Sequence, residues 1–251
     1  GHPGPPRRAL PVSAVDRRAA AARAGSRLQE LVWNRRASTW DHHGVAGLGK
    51  VIAAVLDQAR ADGDKVAVDL GCGTGALAIP LAERGVTVTA VDLSRAMVER
   101  LEAKAAEAGL TNVTGTVAAV EHLDLAPSSI DLVVSNYALH HLRDADKQAV
   151  VRAAAGWLRP GGRLVIGDMM FGRGATARDR AIIGNKVMVL VRRGPGGWWR
   201  LAKNVGRFSF RLQERPVSID TWKGYLEAAG FTDVTAVPVV AEAAVVAGTK
   251  P

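Results

Sequence analysis

The chain has 251 residues and is 48% apolar, enough to bury a sizeable core, and its length favours one domain with appendages over two full domains. Its single cysteine excludes an intrachain disulfide, and no apolar run approaches the roughly 20 residues that span a bilayer, so a cytoplasmic protein without a transmembrane segment is expected. The net charge of +9 resides in two appendages: residues 1–41 carry eight Lys/Arg against three Asp/Glu and residues 172–216 eleven against two, whereas residues 42–171 carry twelve against fifteen. Basic parts beside an acidic core suit contact with something anionic.

The opening Gly-His-Pro lacks Met and reads as a tag remnant. Residues 1–12 are rich in Pro, Gly and Arg and are expected to be disordered. From Ser13 to about Arg36 an Ala/Arg-rich stretch with Val15, Leu28, Leu31 and Val32 predicts a weakly amphipathic helix, although an Arg-rich, acid-poor beginning also fits a transit peptide. A polar cluster from Trp33 to His43 closes this extension of residues 1–43. A helix from about Val45 to Arg60 then leads to Asp62-Gly63, a turn into the first strand.

Residues 66–75 read Val-Ala-Val-Asp-Leu-Gly-Cys-Gly-Thr-Gly, a buried strand ending in three glycines spaced by two, and Ala76 to Glu83 is helix-forming. Strand, glycine loop and helix together aim bare N–H groups into a crevice, which predicts a nucleotide-like cofactor. Gly71, Gly73 and Ala76 fit a dinucleotide fingerprint, with Asp92 at the distance of a ribose-binding acid. Against that stands Asp69, two residues before the first glycine, where negative charge repels a pyrophosphate and suits a cation. The stretch resembles motif I, D-x-G-x-G-x-G, of the class I S-adenosylmethionine (SAM) dependent methyltransferases. That resemblance implies that Asp69 and the loop of Gly71, Cys72, Gly73 and Gly75 hold the amino acid end of SAM, with S-adenosylhomocysteine (SAH) as product. It also sets Trp40 in the segment that lies over the SAM site, beside the simpler reading of a tryptophan anchoring the N-terminal helix.

Val86 to Val91 predicts a second strand ending in Asp92, followed by Leu93 and a helix from Arg95 to Ala108. The resemblance makes Asp92 the acceptor of both ribose hydroxyls, which its two oxygens allow; the alternative is a helix cap, for which Ser94 is better suited. Leu93 and Met97 then fall beside the nucleoside. After a third strand, Asn112 to Val117, relatives carry an acid against the adenine amino group, but this chain has Ala119-Val120-Glu121, leaving adenine to Ala119 and the backbone of Val120, with Glu121 either a substitute for that acid or, as favoured here, an exposed helix-start residue. Ile130 to Leu142 resembles the motif IV region of small-molecule methyltransferases, with Asn136, Tyr137, His140 and His141 at the carboxyl edge of strand four. It lacks the Asn/Asp-Pro-Pro-Tyr signature of enzymes acting on nucleic acid bases, so no DNA partner is expected.

A helix from about Ala145 to Leu158 is expected to end at Arg159-Pro160-Gly161-Gly162, read as a turn and as a further landmark of the family, before strand five, Arg163 to Asp168. Residues 172–216 change character, with apolar runs broken at Arg192 to Gly197 and resumed at Trp198-Trp199. A substrate lid is expected there, with a membrane-surface element or a dimer interface as alternatives. Ser218 or Asp220 caps a helix to Ala229, and Phe231 to Val239 with Ala241 to Thr249 form an antiparallel hairpin, their link being too short for a parallel crossover.

The expected fold is therefore α/β, a Rossmann-like class I methyltransferase sheet of seven strands with an antiparallel C-terminal hairpin and flanking helices, its core in residues 44–171 completed by 217–251. Methyl transfer is an in-line displacement needing chiefly alignment and exclusion of water. A hydroxyl acceptor also needs a base, for which His43, His140 and His141 are candidates with Tyr137 as orienter, although each histidine also reads as a structural residue closing the cleft. No metal is expected, since Asp168 at the end of strand five has no evident oxygen partners. The function read from the sequence is methylation of a small-molecule acceptor at O, N or C, anionic or lipid-like, in natural-product biosynthesis, by a monomer or homodimer. An RNA methyltransferase, a non-catalytic interaction protein of this fold and an NAD-dependent oxidoreductase are the alternatives.

Overall fold

The computed structural model describes residues 47–172 and 215–251, with isolated positions 177, 179–181, 184 and 188 between them. All of the expected N-terminal extension and most of the expected lid thus lie outside the described residues.

Chain order runs α1 (Leu48–Ala59), β1 (Val66–Leu70), α2 (Ala78–Glu83), β2 (Thr87–Asp92), α3 (Arg95–Glu107), β3 (Val113–Val117), β4 (Ile130–Asn136), α4 (Asp144–Trp157), β5 (Leu158–Met169), α5 (Ile219–Ala228), β6 (Thr232–Pro238) and β7 (Ala243–Thr249). Short 3₁₀ turns occupy Val120–His122 and Leu139–His141. The seven strands lie in the order β3-β2-β1-β4-β5-β7-β6. β1 pairs in parallel with both β2 and β4, and β7 runs antiparallel between β5 and β6, as the short link after Pro238 requires.

Strand periodicity divides the core between two faces. Ala67, Leu132, Val134, Val165 and Val245 join Val51 and Val55 of α1 and Leu81 of α2 on one side. Their neighbours Val68, Val133, Leu164, Ile166 and Val246 join Val150, Val151 and Trp157 of α4 and Trp222 and Leu226 of α5 on the other. Apolar residues at consecutive strand positions therefore all find partners, the signature of a sheet covered on both faces, and each large side chain contributes roughly 1.5–3 kcal/mol by leaving water. Ser94 and Ser218 cap α3 and α5, accepting from Met97 N and Thr221 N at 3.2 Å each.

The Arg159-Pro160-Gly161-Gly162 stretch departs from expectation. No turn separates helix from strand there: β5 begins at Leu158, directly after Trp157, and the four residues form a bulge, the register with β4 jumping from Ile130↔Leu158 to Leu132↔Arg163. Gly161 adopts φ +78°, and its N–H donates to Lys250 O at 2.8 Å while Lys250 N–H donates to Gly162 O at the same distance. The bulge stays paired because the chain's end supplies its missing bonds.

Candidate functional site

Strand order reverses between β1 and β4, whose outward connections run to opposite sides and leave a crevice at their carboxyl ends. A cavity of about 1000 Å³ including its open mouth lies there, within the size that holds small-molecule ligands. Leu48 and residues from four stretches line it: Asp69 to Leu77, Asp92 to Met97, Ala119 to Glu121 and Asn136 to Leu142.

The glycine loop is shaped by positive φ angles of +75°, +52° and +93° at Gly71, Gly73 and Gly75. A Cβ on Gly71 would come within 2.2 Å of the Ala138 methyl, so the loop touches the β4 side through bare backbone. Asp92 holds the turn in place, accepting from Gly73 N at 2.9 Å through Oδ2 and from Ser94 N at 2.8 Å through Oδ1. Gly71 N and Cys72 N both donate to Val91 O, which fixes β1's end against β2's end.

Asp69 is 1% exposed, and its Oδ2 has no hydrogen-bond partner. Burial, and then the nearby Asp92 carboxylate, push its pKa up to about 7, against a smaller opposing pull from the Ala78 N–H at the start of α2. Burial also raises Asp92 despite its N–H bonds. Asn136 Oδ1 and the Tyr137 hydroxyl are likewise buried without partners. Three polar atoms on cavity-lining residues thus await a ligand, and two are pure acceptors that ask for donors. The cavity's charged lining is Asp69, Asp92 and Glu121, without a Lys or Arg among the described residues. A cationic, donor-rich ligand fits that lining, and a pyrophosphate does not.

Of the expected cofactor contacts, Asp69, Gly71, Cys72, Gly73, Asp92, Leu93, Met97, Ala119, Val120 and Asn136 line the cavity. Gly75 does not; it lies behind the loop, where an added Cβ would meet Ile79 at 2.9 Å and Leu101 at 3.2 Å, so its role is packing of α2 and α3. Trp40 and His43 lie outside the described residues. Tyr137 and His141 line the cavity, whereas His140 turns away and is 5% exposed, its Nδ1 2.5 Å from Asp168 Oδ1 and its N–H donating to Asp168 Oδ2 at 2.9 Å. Asp168 is fully buried and also accepts from Met169 N, which places its oxygens in the service of the loop. Cys72 is a buried filler whose thiol burial pushes well up in pKa, away from nucleophilic character.

The sequence did not single out Leu48, Thr74, Ala76, Leu77, Ala138 and Leu142 as lining residues, and of the two readings of Glu121 it favoured the exposed one; Glu121 is half-buried in the first 3₁₀ turn and lines the cavity. Its neighbours Ala119 and Val120 gave the signal, since a tight turn brings all three to one wall.

Residues 67–162 match the model of a methyltransferase domain family. The chain is 32% identical over 132 residues to a 2-heptyl-1-hydroxyquinolin-4(1H)-one methyltransferase of Mycobacteroides abscessus, a match covering 51% of this chain and 55% of that protein. It is 38% identical over 110 residues to a 27-O-demethylrifamycin SV methyltransferase of Amycolatopsis mediterranei, covering 43% and 39%. The matches span about half the length of the first of these curated relatives, and less of the second. Among solved structures, the SAM-dependent methyltransferase SibL superposes with a TM-score of 0.60 over 85% of this chain and 56% of that one, at 21% identity, a likeness of fold.

Proposed function

We propose that this chain, whose residues 67–162 match a methyltransferase domain family and whose fold is that of SAM-dependent methyltransferases, transfers a methyl group from SAM to a small-molecule acceptor. The observation that carries the reading is the buried Asp69 carboxylate, with an oxygen left open on an acidic cavity free of Lys and Arg among the described residues. A ligand bringing an ammonium and a sulfonium relieves that desolvated charge, whereas a phosphate would add to it.

When bound, SAM supplies a methyl group already activated by its positive sulfur. The residues of this chain have only to bind, orient and exclude water. Asp69 takes the ammonium of the amino acid end against the glycine loop, and Asp92 keeps lone pairs for the ribose hydroxyls beyond those committed to Gly73 and Ser94. Leu93, Met97, Val120 and Glu121 line the cavity and would hold the adenine, and Tyr137 and His141 on the opposite stretch would meet the acceptor.

The two curated relatives are named for a hydroxyquinolone and for an O-demethyl rifamycin, which supports a small organic acceptor and a place in natural-product chemistry. The basic residues 172–216 support an acceptor with an anionic part. Titration calorimetry tests the cofactor assignment: SAH is expected to bind and NAD to give no heat. Binding of NAD with no response to SAH would overturn the reading.

A further inference from the structure

A second cavity, about 460 Å³ including its open mouth, lies at the amino ends of β1 and β4, the edge of the sheet opposite to the cofactor cavity. Buried Ala59 and Leu132 and the bulge of Pro160, Gly161 and Gly162 line it, and Lys65, Asp131 and Arg163 supply its charge. Asp131 is the one carboxylate on this lining, and its Oδ2 is committed: it accepts from Val66 N at 2.9 Å and from Arg159 Nη1 at 2.6 Å. Lys65 Nζ donates to Arg60 O at 2.8 Å, and Arg163 donates through Nε to Gln58 O and through Nη1 to Thr249 Oγ1, at 3.1 Å each. Those acceptors are neutral, so neither lining cation has a carboxylate within ion-pair distance among the described residues. Burial, and then the neighbouring Arg60 charge, pull the Arg163 guanidinium below its ordinary pKa, against a smaller opposing pull from Asp233. Residues 42–171 carry more acid than base, yet here the balance is reversed.

We propose that this second cavity is a phosphate-binding site, which takes a phosphate ion or the terminal phosphate of a small metabolite between Arg163 and Lys65. A half-buried guanidinium beside other cations is stabilised by an anion that the chain itself does not supply there. The two bonds Arg163 makes leave most of its five N–H donors for a ligand. A guanidinium fork meets two oxygens at once and an ammonium adds a point charge, so the pair suits a tetrahedral anion with oxygens to spare better than a single carboxylate. The dianion of a terminal phosphate matches two cations, whereas the singly charged phosphates within a dinucleotide do not. Buried Ala59 and Leu132 keep the local dielectric low, which strengthens the attraction. The site stands apart from methyl transfer, since the two cavities share no lining residue.

The test titrates inorganic phosphate and glycerol 3-phosphate into the whole protein by calorimetry, at constant ionic strength set with chloride, with a melting curve on every variant. Saturable binding of phosphate at one site per chain is expected. Glycerol 3-phosphate bound more tightly assigns the site to a phosphorylated metabolite, and bound no more tightly assigns it to the free ion. Lys65→Gln and Arg163→Gln should each weaken phosphate binding about tenfold, the worth of one charge-assisted hydrogen bond. Asp131→Asn should strengthen it severalfold by removing the repelling carboxylate, and Lys50→Gln, which removes an exposed charge at the other end of α1, should leave it unchanged. Arg163→Gln also gives up the bonds to Gln58 and Thr249, so if it fails to fold the decision falls to Lys65→Gln, which loses only the bond to Arg60 O. Saturating SAH should leave phosphate affinity as it is. No saturable binding by the wild-type protein, equal losses in Lys50→Gln and Lys65→Gln, weaker binding in Asp131→Asn, or displacement of phosphate by SAH overturns the proposal.

Discussion

Asp69 concentrates the energetics of the site in one side chain. A carboxyl that titrates near pH 7 in the fold and at 3.8 in the unfolded chain holds its proton more tightly when folded. The fold therefore bears no penalty below pH about 4, an increasing one as pH rises through the window to about 7, and the full cost above it, roughly 4 kcal/mol at 1.36 kcal/mol per pH unit. Asp69→Asn should accordingly raise the melting temperature of the ligand-free protein at pH 8 while abolishing SAH binding; a mutant that melts lower at pH 8 would contradict the buried-charge account. The same proton links binding to pH. A cationic ligand selects the carboxylate, so affinity should fall below pH 7, approaching tenfold per pH unit, with protons released on binding. Calorimetry in buffers of different ionisation enthalpy reads that release directly. Gly71 presents a steric problem instead. In Gly71→Ala the φ of +75° costs about 1–2 kcal/mol and the 2.2 Å approach to Ala138 adds overpacking of about 1–3 kcal/mol. Urea denaturation should show that loss, and a second change, Ala138→Gly, should restore part of it because it removes the clash alone.

At the scale of elements, the loop from β4 to α4 depends on Lys147. Its side chain is wholly buried, with its ammonium bonded to Leu142 O, Arg215 O and Asp144 Oδ1. Lys147→Met removes the ammonium's bonds to two partly buried carbonyls, a cost of about 1–3 kcal/mol that should appear in urea unfolding, and slackening at Leu142 should weaken acceptor binding more than SAH binding. Unchanged unfolding would show that water replaces the ammonium. This lock also marks the limit of what sequence could disclose. The strands, the hairpin, the glycine turn and the place of Asp92 at the end of β2 were readable because each is written in a local pattern or spacing: apolar β-rich runs, a short link, glycines at intervals of two. Arg159 to Gly162 read as a turn because Pro-Gly-Gly is turn chemistry; the bulge depends on Lys250, 88 residues after Gly162 in the chain, for its hydrogen bonds. His140 and His141 were equivalent as neighbours in sequence. Which lines the cavity was decided by Asp168 on the next strand, a partner that no local pattern encodes. Gly75 fitted the motif's spacing yet serves the helices behind the loop, since spacing fixes the residue type and three-dimensional packing fixes its use.

On the scale of the molecule, the cavity belongs to no single element. Its lining spans Leu48 to Leu142 and joins the ends of β1, β2 and β4, and those strands are fixed by the two cores on the faces of one sheet. Opening any central strand thus dissolves the site, so ligand binding must report on global unfolding rather than on a local segment. SAH at a hundred times its dissociation constant should then stabilise the protein by about 2.7 kcal/mol, which for a chain of this size corresponds to a melting shift of roughly 5–10 °C. NAD at the same concentration should leave the melting temperature unchanged, because its pyrophosphate meets Asp69 and Asp92 at the loop. The attraction for SAH involves a carboxylate removed from water, so the shift should change little between low and moderate ionic strength, unlike an attraction made by charges in contact with solvent. Differential scanning fluorimetry at two salt concentrations separates these cases: a shift that collapses with salt would move the ligand's charge contacts from Asp69 to the surface, and a shift produced equally by NAD would remove the electrostatic basis for a sulfonium cofactor.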